Sequence, residues 1–507
     1  MNASTPSSSK PLAADEVAYE APESLAGSVV TSLKWKFGSQ IVRETTRLTV
    51  AIILARILTP GEWGLASMAL VVAALLELVP DAVSGGLVQR SRISERDRST
   101  IFWTALGLGI GVALLGIAAS GTIAAFFGEP DAQELIAAVS VGLAITSLGV
   151  VPESLLMRDL DYRSLELRHM TATFVGAGVA LTLAFSGAGA WAIVGNALAF
   201  VTTSVTLLWV FVKWRPSFVF SRASFTSLGA YGLRMFGAQA LTFAQLSGDK
   251  VLVGRYLGAA SLGTYALSFN LMFTPIVNIA FPIQNVLFPA YSTIQDDEDR
   301  LRAAWLRGKR LAVAALAPLF LTALVIAPDL VPVVFGSKWE DAIPVLQLLC
   351  VAGVAYALLT QNPTLLLVRN EMRTLLRWST FVTAFMLGAI AVGLTWGVVG
   401  VATTYAIARW AVVLPDTWIS TRGAAIRLPT ALAAACASLP FAAAATGAAL
   451  LLRFLLVEAG LPAALRLLVV APSVVTFYVA LVWAFSPSLR DEAKDAIRLA
   501  RRRGRDS

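Results

Sequence analysis

The chain has 507 residues, 57% of them hydrophobic and only 14% charged, with a mean hydropathy of +0.72. Soluble domains carry about one-quarter charged residues, so this composition excludes a water-soluble fold and makes the bilayer the natural solvent. Two cysteines and one histidine exclude a disulfide framework and a structural metal site, no cofactor is expected, and the net charge of +8 must be explained by topology or by a partner.

Residues 1–30 are polar and rich in Ser, Pro and Ala, and read as a disordered cytosolic tail without the apolar core of a signal peptide. Stretches long enough to span then follow at 38–58, 64–88, 99–126, 134–157, 170–186, 190–212, 228–257, 264–290, 311–335, 344–368, 376–394, 397–418, 428–452 and 463–486. Pro275, Pro282 and Pro289 predict a bent eighth helix. Residues 487–507 form a basic cytosolic tail suited to a lipid surface.

With the N-terminus in the cytosol, 30 of the 40 lysines and arginines fall in the even loops and the two tails. The odd loops hold only Lys338 and Arg453. This is the positive-inside pattern, so the charge reports topology and no nucleic acid is needed to explain it. The remaining eight lie inside spans: Arg43, Arg47, Arg56, Arg234, Lys250, Arg255, Arg409 and Arg466.

The chain also repeats itself. At an offset of 199 residues, "GSQ" (38–40) falls on "GAQ" (237–239) and "ARILTPGEWG" (55–64) on "GRYLGAASLG" (254–263). These pair Arg56 with Arg255 and Gly64 with Gly263. "FFGEPDAQELI" resembles "VFGSKWEDAIPVL", and "WAIVG" (191–195) resembles "WGVVG" (396–400). Helices 1–6 and 7–12 thus look like two parallel copies, an arrangement found in transporters. The expected fold is an all-α polytopic membrane protein of 14 transmembrane helices with both termini cytosolic. Its parts are an N-lobe (31–218), a C-lobe (219–427) and two extra helices (428–486).

In helix 1, Gln40, Arg43, Glu44 and Arg47 fall within an arc of about 100°. Gln239 and Lys250 share a face of helix 7. A lipid-facing arginine at mid-depth costs at least about 2.5–3.5 kcal/mol, so these stripes should face a polar interior. They line either a cationic substrate cavity, which Arg409 could join, or structural ion pairs. Asp249 and Glu44 are either ion-coupling groups or partners that neutralise arginines. Arg56 and Arg255 are expected to form a structural clasp on the following turn, and Arg234 and Arg466 to be interfacial anchors.

The run "DKVLVGRYLGAASLGTYALSFNLMFTPI", followed by "VLFPAYSTIQDDEDRLRAAWLRG" and "LVPVVFGSKWEDAIPVLQLL", resembles the signature of Wzx-type polysaccharide flippases. The similarity is to the exopolysaccharide, colanic acid, succinoglycan and teichuronic acid exporter branch of the multidrug/oligosaccharidyl-lipid/polysaccharide superfamily. It covers helices 1 to 12. The resemblance implies a non-enzymatic protein of the cytoplasmic membrane. It would move a polyprenyl-pyrophosphate-linked oligosaccharide across the lipid bilayer by alternating access, alongside polysaccharide polymerase machinery. Arg43, Arg47 and Lys250 would then contact the diphosphate. The rivals are a drug or metabolite antiporter of the same superfamily, a membrane-embedded glycosyltransferase, polymerase or ligase, and a scaffold that transports nothing. An antiporter of cations calls for an anionic or aromatic pocket. An enzyme calls for catalytic groups in a long loop, and the odd loops are short. No P-loop occurs to indicate direct drive by ATP.

Overall fold

The computed structural model describes residues 16–18, 25–88, 92–159, 161–424, 426–487 and 489–491. Most of the expected N-terminal tail (1–15 and 19–24), residues 492–507 of the basic C-terminal tail and the side chain of Arg234 lie outside them.

The described chain is helical apart from one short antiparallel pair, β1 (Glu16–Ala18) with β2 (Arg92–Ser94). The helices in the first half are α1 (Leu25–Ile57), α2 (Pro60–Val88), α3 (Glu95–Phe127), α4 (Ala132–Arg158), α5 (Tyr162–Phe185) and α6 (Trp191–Phe211). Then come α7 (Arg222–Pro275), α8 (Phe281–Ser292), α9 (Glu298–Leu330), α10 (Ala342–Leu359) and α11 (Asn362–Val368). The series closes with α12 (Met372–Gly393), α13 (Gly397–Thr421), α14 (Leu428–Cys436), α15 (Leu439–Glu458) and α16 (Ala463–Phe485). Ten segments among the described residues are long and apolar enough to cross a membrane. Two of them, Phe236–Ser292 and Met372–Thr421, have 57 and 50 residues.

Local chemistry sets the starts and breaks. At the head of α2 the Thr59 N–H donates to the Glu62 carboxylate (2.7 Å) and the Glu62 N–H to the Thr59 hydroxyl (3.3 Å). Pro60 takes the first helical position, where a missing N–H costs nothing. Ser94 and Asp97 form the same reciprocal cap on α3, and Asp161 and Asp297 cap α5 and α9. Gly258, at φ +78°, interrupts α7 in a conformation that side chains resist. The break falls where the seventh and eighth spans were expected to part.

Two expectations are corrected at helix ends. Helix α1 begins at Leu25, inside the expected disordered tail, because Leu25, Val29, Leu33 and Phe37 recur at helical spacing. Arg168 and Lys309, expected in cytosolic loops, lie within α5 and α9 and are buried. Those helices extend beyond bilayer length, so their charged turns pack against neighbouring helices.

By contact the chain forms two units: 1–50, 72–124 and 131–243; and 51–71, 125–130 and 244–507. These differ from the expected lobes, since two short pieces of the first half belong with the second half. In the first unit Ile101, Phe102, Val151, Leu155, Leu165 and Leu208 form a core among α3–α6. In the second, α15 and α16 pack on α9 through Val325, Ala442, Ala445, Ala449, Val470 and Val474. The alanines let the helices approach closely, which is how helices associate where lipid is as apolar as leucine. Asp329 of α9, buried, accepts from Arg453 (2.6 Å) and Arg466 (2.6 and 2.9 Å). Arg453 and Arg466 are therefore ion-paired to the protein.

The piece 51–71 is held by positions that the repeat relates. A β-carbon on Gly64 would fall on the carbonyl oxygen of Ala259, and one on Gly263 on that of Pro60. Pro60 and Ala259 are themselves 199 residues apart, so the two close approaches are reciprocal. Around them Arg56 donates to the carbonyls of Val333 and Val334, Lys338 to Ile57 and the Trp339 indole to Ala55. On the other side Arg255 stacks over Phe126 (5.4 Å), and Glu129 accepts from the Ala259 N–H (2.9 Å). Each arginine thus meets the "VFG" or "FFG" run of the other copy. The expected clasp on the following turn is corrected to a clasp between sequence copies.

Candidate functional site

The first unit holds five of the sequence-derived candidates. Arg43 of α1 pairs with Glu166 of α5, which also accepts from Ser39 Oγ (2.6 Å). Glu166 is only 7% exposed, so its charge needs that partner. Arg47 pairs with Glu44 one turn away (2.7 Å), with 58% of its side chain exposed. Gln40 is half-buried, and Gln239 has a buried Oε1 without a hydrogen-bond partner. Deeper in the unit, Arg168 bonds Glu153 (2.9 Å) and lies against His169 Nε2 (2.6 Å).

The second unit contains a cavity of about 240 Å³ walled by α7, α8, α10, α11, α12 and α13. Aromatic rings dominate: Phe269, Phe273, Phe281, Tyr356, Trp378 and Tyr405. Three charges share it, Asp249, Arg409 and Asp416. A lining with two carboxylates and one guanidinium differs from the cationic one that the sequence suggested.

Each charged group has a distinct setting. Asp249, 4% exposed, accepts from the Tyr265 hydroxyl (2.8 Å) and the Lys250 N–H (2.8 Å). Arg409 donates to the Tyr405 hydroxyl (3.0 Å), and its guanidinium lies 5.1 and 5.3 Å from the Tyr356 and Tyr405 ring centres. Its Nε is buried without a hydrogen-bond partner, and it makes no ion pair among the described residues. Lys250 stands outside the lining, with Nζ 5.0 Å from the ring centre of Phe269 and 3.2 Å from the Leu246 carbonyl. The structure therefore brings Asp249 and Arg409 into one cavity, sets Lys250 behind its wall, and ties Arg43 and Arg47 to carboxylates of the first unit.

Asp416 was not singled out by sequence. It accepts from the Trp378 indole and from Asn362 Nδ2 (2.6 Å). Asn362 Oδ1 in turn accepts from Lys309 Nζ (2.6 Å), and Lys309 is 1% exposed, with Trp305 beneath it (4.8 Å). One signal was available: Arg409 and Asp416 are seven residues apart, two turns on one face of a helix. Nothing in the sequence placed Asn362 or Lys309 beside them. Chemically, the cavity offers aromatic faces, two fixed acceptors and one cation with an open donor.

The model of a family described as polysaccharide biosynthesis protein matches residues 53–344. The lipopolysaccharide biosynthesis protein WzxC of Escherichia coli (strain K12) is 28% identical, with 73% of this chain and 76% of that one covered. The succinoglycan biosynthesis transport protein ExoT of Rhizobium meliloti (strain 1021) is 26% identical, covering 73% and 75%. The teichuronic acid biosynthesis protein TuaB of Bacillus subtilis (strain 168) is 22% identical, covering 78% and 83%. Among solved structures, the lipid II flippase MurJ in an inward closed conformation is similar with a TM-score of 0.71 at 13% identity, over 91% of this chain and 99% of that one. An inward-facing multidrug resistance transporter of the MATE family is similar at 0.57 and 18% identity, over 75% and 97%. These two likenesses show that the chain shares their fold.

Proposed function

The chain belongs to the polysaccharide biosynthesis protein family, and from that premise we propose that it is a flippase of the cytoplasmic membrane. Its cargo is a polyprenyl-pyrophosphate-linked oligosaccharide, carried from the inner to the outer leaflet by alternating access for surface polysaccharide assembly. Relatives named for lipopolysaccharide, succinoglycan and teichuronic acid biosynthesis support the reading. A diphosphate with sugars cannot cross about 30 Å of hydrocarbon alone, because each polar group without a partner costs several kcal/mol.

Fourteen crossings fit this proposal. Eight apolar segments cross once, the two long ones twice, and the more polar α1 and α5 complete the count. With both termini cytosolic, the Gly64–Gly263 clasp lies at the outer face.

The observation that carries the reading is Arg409: a guanidinium in an aromatic cavity, with a buried donor unused and no ion pair among the described residues. It is the first phosphate contact, since charge-assisted bonds to phosphate are strong and arginine presents a planar fork. Asp249, fixed by Tyr265, is the group that couples transport to an ion. Polysaccharide polymerase machinery receives the cargo outside.

The test is a deletion strain complemented in turn by wild type and by Arg409→Gln. Wild type restores surface polysaccharide; the variant leaves lipid-linked repeat units on the cytosolic leaflet. Unchanged polysaccharide on deletion overturns the reading. A second reading has its own observation: six aromatic rings and two carboxylates suit an organic cation. Sensitivity to cationic drugs on deletion, with polysaccharide intact, is the result that favours it.

A further inference from the structure

The cavity of the second unit has two chemically different ends. Arg409 and Asp416 lie seven residues apart on α13, which separates them by about 10 Å along the helix. Around Arg409 are Tyr356 and Tyr405, with no carboxylate paired to the guanidinium among the described residues. Around Asp416 stand Trp378 and Asn362, both donating to its carboxylate.

The Asp416 end is built to a pattern. Each of its oxygens already accepts one N–H, which fixes the plane of the carboxylate. A carboxylate offers about four acceptor sites, so about two remain for new donors. Asn362 could not turn its amide around, because Lys309 holds its oxygen from a fully buried position. Trp378 is braced on Phe381, stacked at 5.3 Å, while the indole also lines the cavity. Fixed acceptors beside a braced aromatic face are what a ring needs when it is apolar on its flat side and carries hydroxyls at its edge. A bare diphosphate is disfavoured here, since it would face the Asp416 charge. The cavity, of about 240 Å³, has room for a sugar ring.

We propose that the Asp416 end of this cavity is a sugar subsite. It takes the pyranose ring attached directly to the diphosphate, stacks it on Trp378 and accepts two of its hydroxyls on Asp416. The inference rests on the flippase reading and deepens it: Arg409 holds the phosphate end, and the ring lies about one diphosphate further along α13. Asn362 and Lys309 are positioning residues, acting through Asp416. The subsite makes the first sugar a determinant of which lipid-linked chain is carried.

Binding of short-tailed probes to the purified full-length protein tests it. The probes are farnesyl diphosphate and the same diphosphate carrying glucose, galactose or N-acetylglucosamine. Wild type should bind at least one glycosylated probe about tenfold more tightly than the bare diphosphate, about 1.4 kcal/mol. Asp416→Asn and Trp378→Ala should bring that ratio to about one. Trp378→Phe, which keeps a stacking ring and loses the bond to Asp416, should give an intermediate ratio and covers the case in which Trp378→Ala does not fold. Arg409→Gln should weaken all four probes alike. The sugar subsite is overturned if no glycosylated probe exceeds the bare diphosphate in wild type, or if the ratio survives in both Asp416→Asn and Trp378→Phe. Should none of the four bind, the flippase reading falls and takes the subsite with it. Binding of all four alike, lost in Arg409→Gln, keeps the flippase and removes the subsite alone.

Discussion

The clasp around Gly64 and Gly263 and the cavity around Arg409 belong to the same unit but are made in opposite ways. The clasp joins two copies of one pattern through backbone: close approaches, carbonyl acceptors and a stacked arginine. The cavity gathers unlike side chains from six helices. Duplication yields a strong joint where both copies keep the same small residue. A binding site needs one copy to depart from the other.

That contrast can be broken experimentally, and the largest effect is expected in the clasp. Gly64→Leu or Gly263→Leu forces a side chain onto a backbone carbonyl, so the loss should reach or pass the about 1–3 kcal/mol of ordinary overpacking. Thermal unfolding in detergent should show it, together with lost export. Gly237→Ala, where a β-carbon meets open space, should leave both unchanged. If Gly64→Leu unfolds like wild type, the close approach is wrong.

Next in size is Arg409→Gln, which should cut export at least about tenfold, the worth of one charge-assisted bond. Its melting temperature should stay near that of wild type. A variant that loses stability in step with export would make Arg409 a structural residue and erase the distinction between the two regions.

The two arginines of the clasp sharpen the comparison further. Arg56→Ala removes two charged hydrogen bonds to carbonyls, worth about 1.5–3 kcal/mol together after exposure is allowed for. Arg255→Ala removes only ring stacking, about 0.5–1 kcal/mol. Equal melting shifts would contradict the asymmetry between them. The smallest stability effect belongs to Lys309→Met. A buried ammonium replaced by an apolar chain of similar volume is often neutral or stabilising, so melting should hold or rise while export falls a few-fold as Asn362 loses its anchor. A large loss of stability would show that Lys309 serves packing.

How far the sequence revealed this molecule follows the same division. The helices were legible because apolar runs of spanning length admit few other solutions, and the Gly258 break because glycine stood between two such runs. Arg56, Arg255, Gly64 and Gly263 were legible as an echo, though not as partners across copies, since periodicity relates positions within a helix and says nothing of neighbours. The stripe of Gln40, Arg43, Glu44 and Arg47 was visible, but Glu166, which holds Arg43, sits 123 residues away in α5. Asp416 carried a faint signal through Arg409. Lys309 carried a misleading one, because it stands among arginines that read as a solvated loop.

The most direct test of the central claim, that this cavity handles the head of a lipid-linked sugar, is translocation in vesicles. The full-length protein would be reconstituted into liposomes loaded in one leaflet with a polyprenyl-diphosphate-linked oligosaccharide, and its appearance in the other leaflet followed. Wild type should move it well above protein-free vesicles, and Arg409→Gln should fall back towards their rate. Movement by Arg409→Gln at the wild-type rate, or none by wild type, would contradict the account.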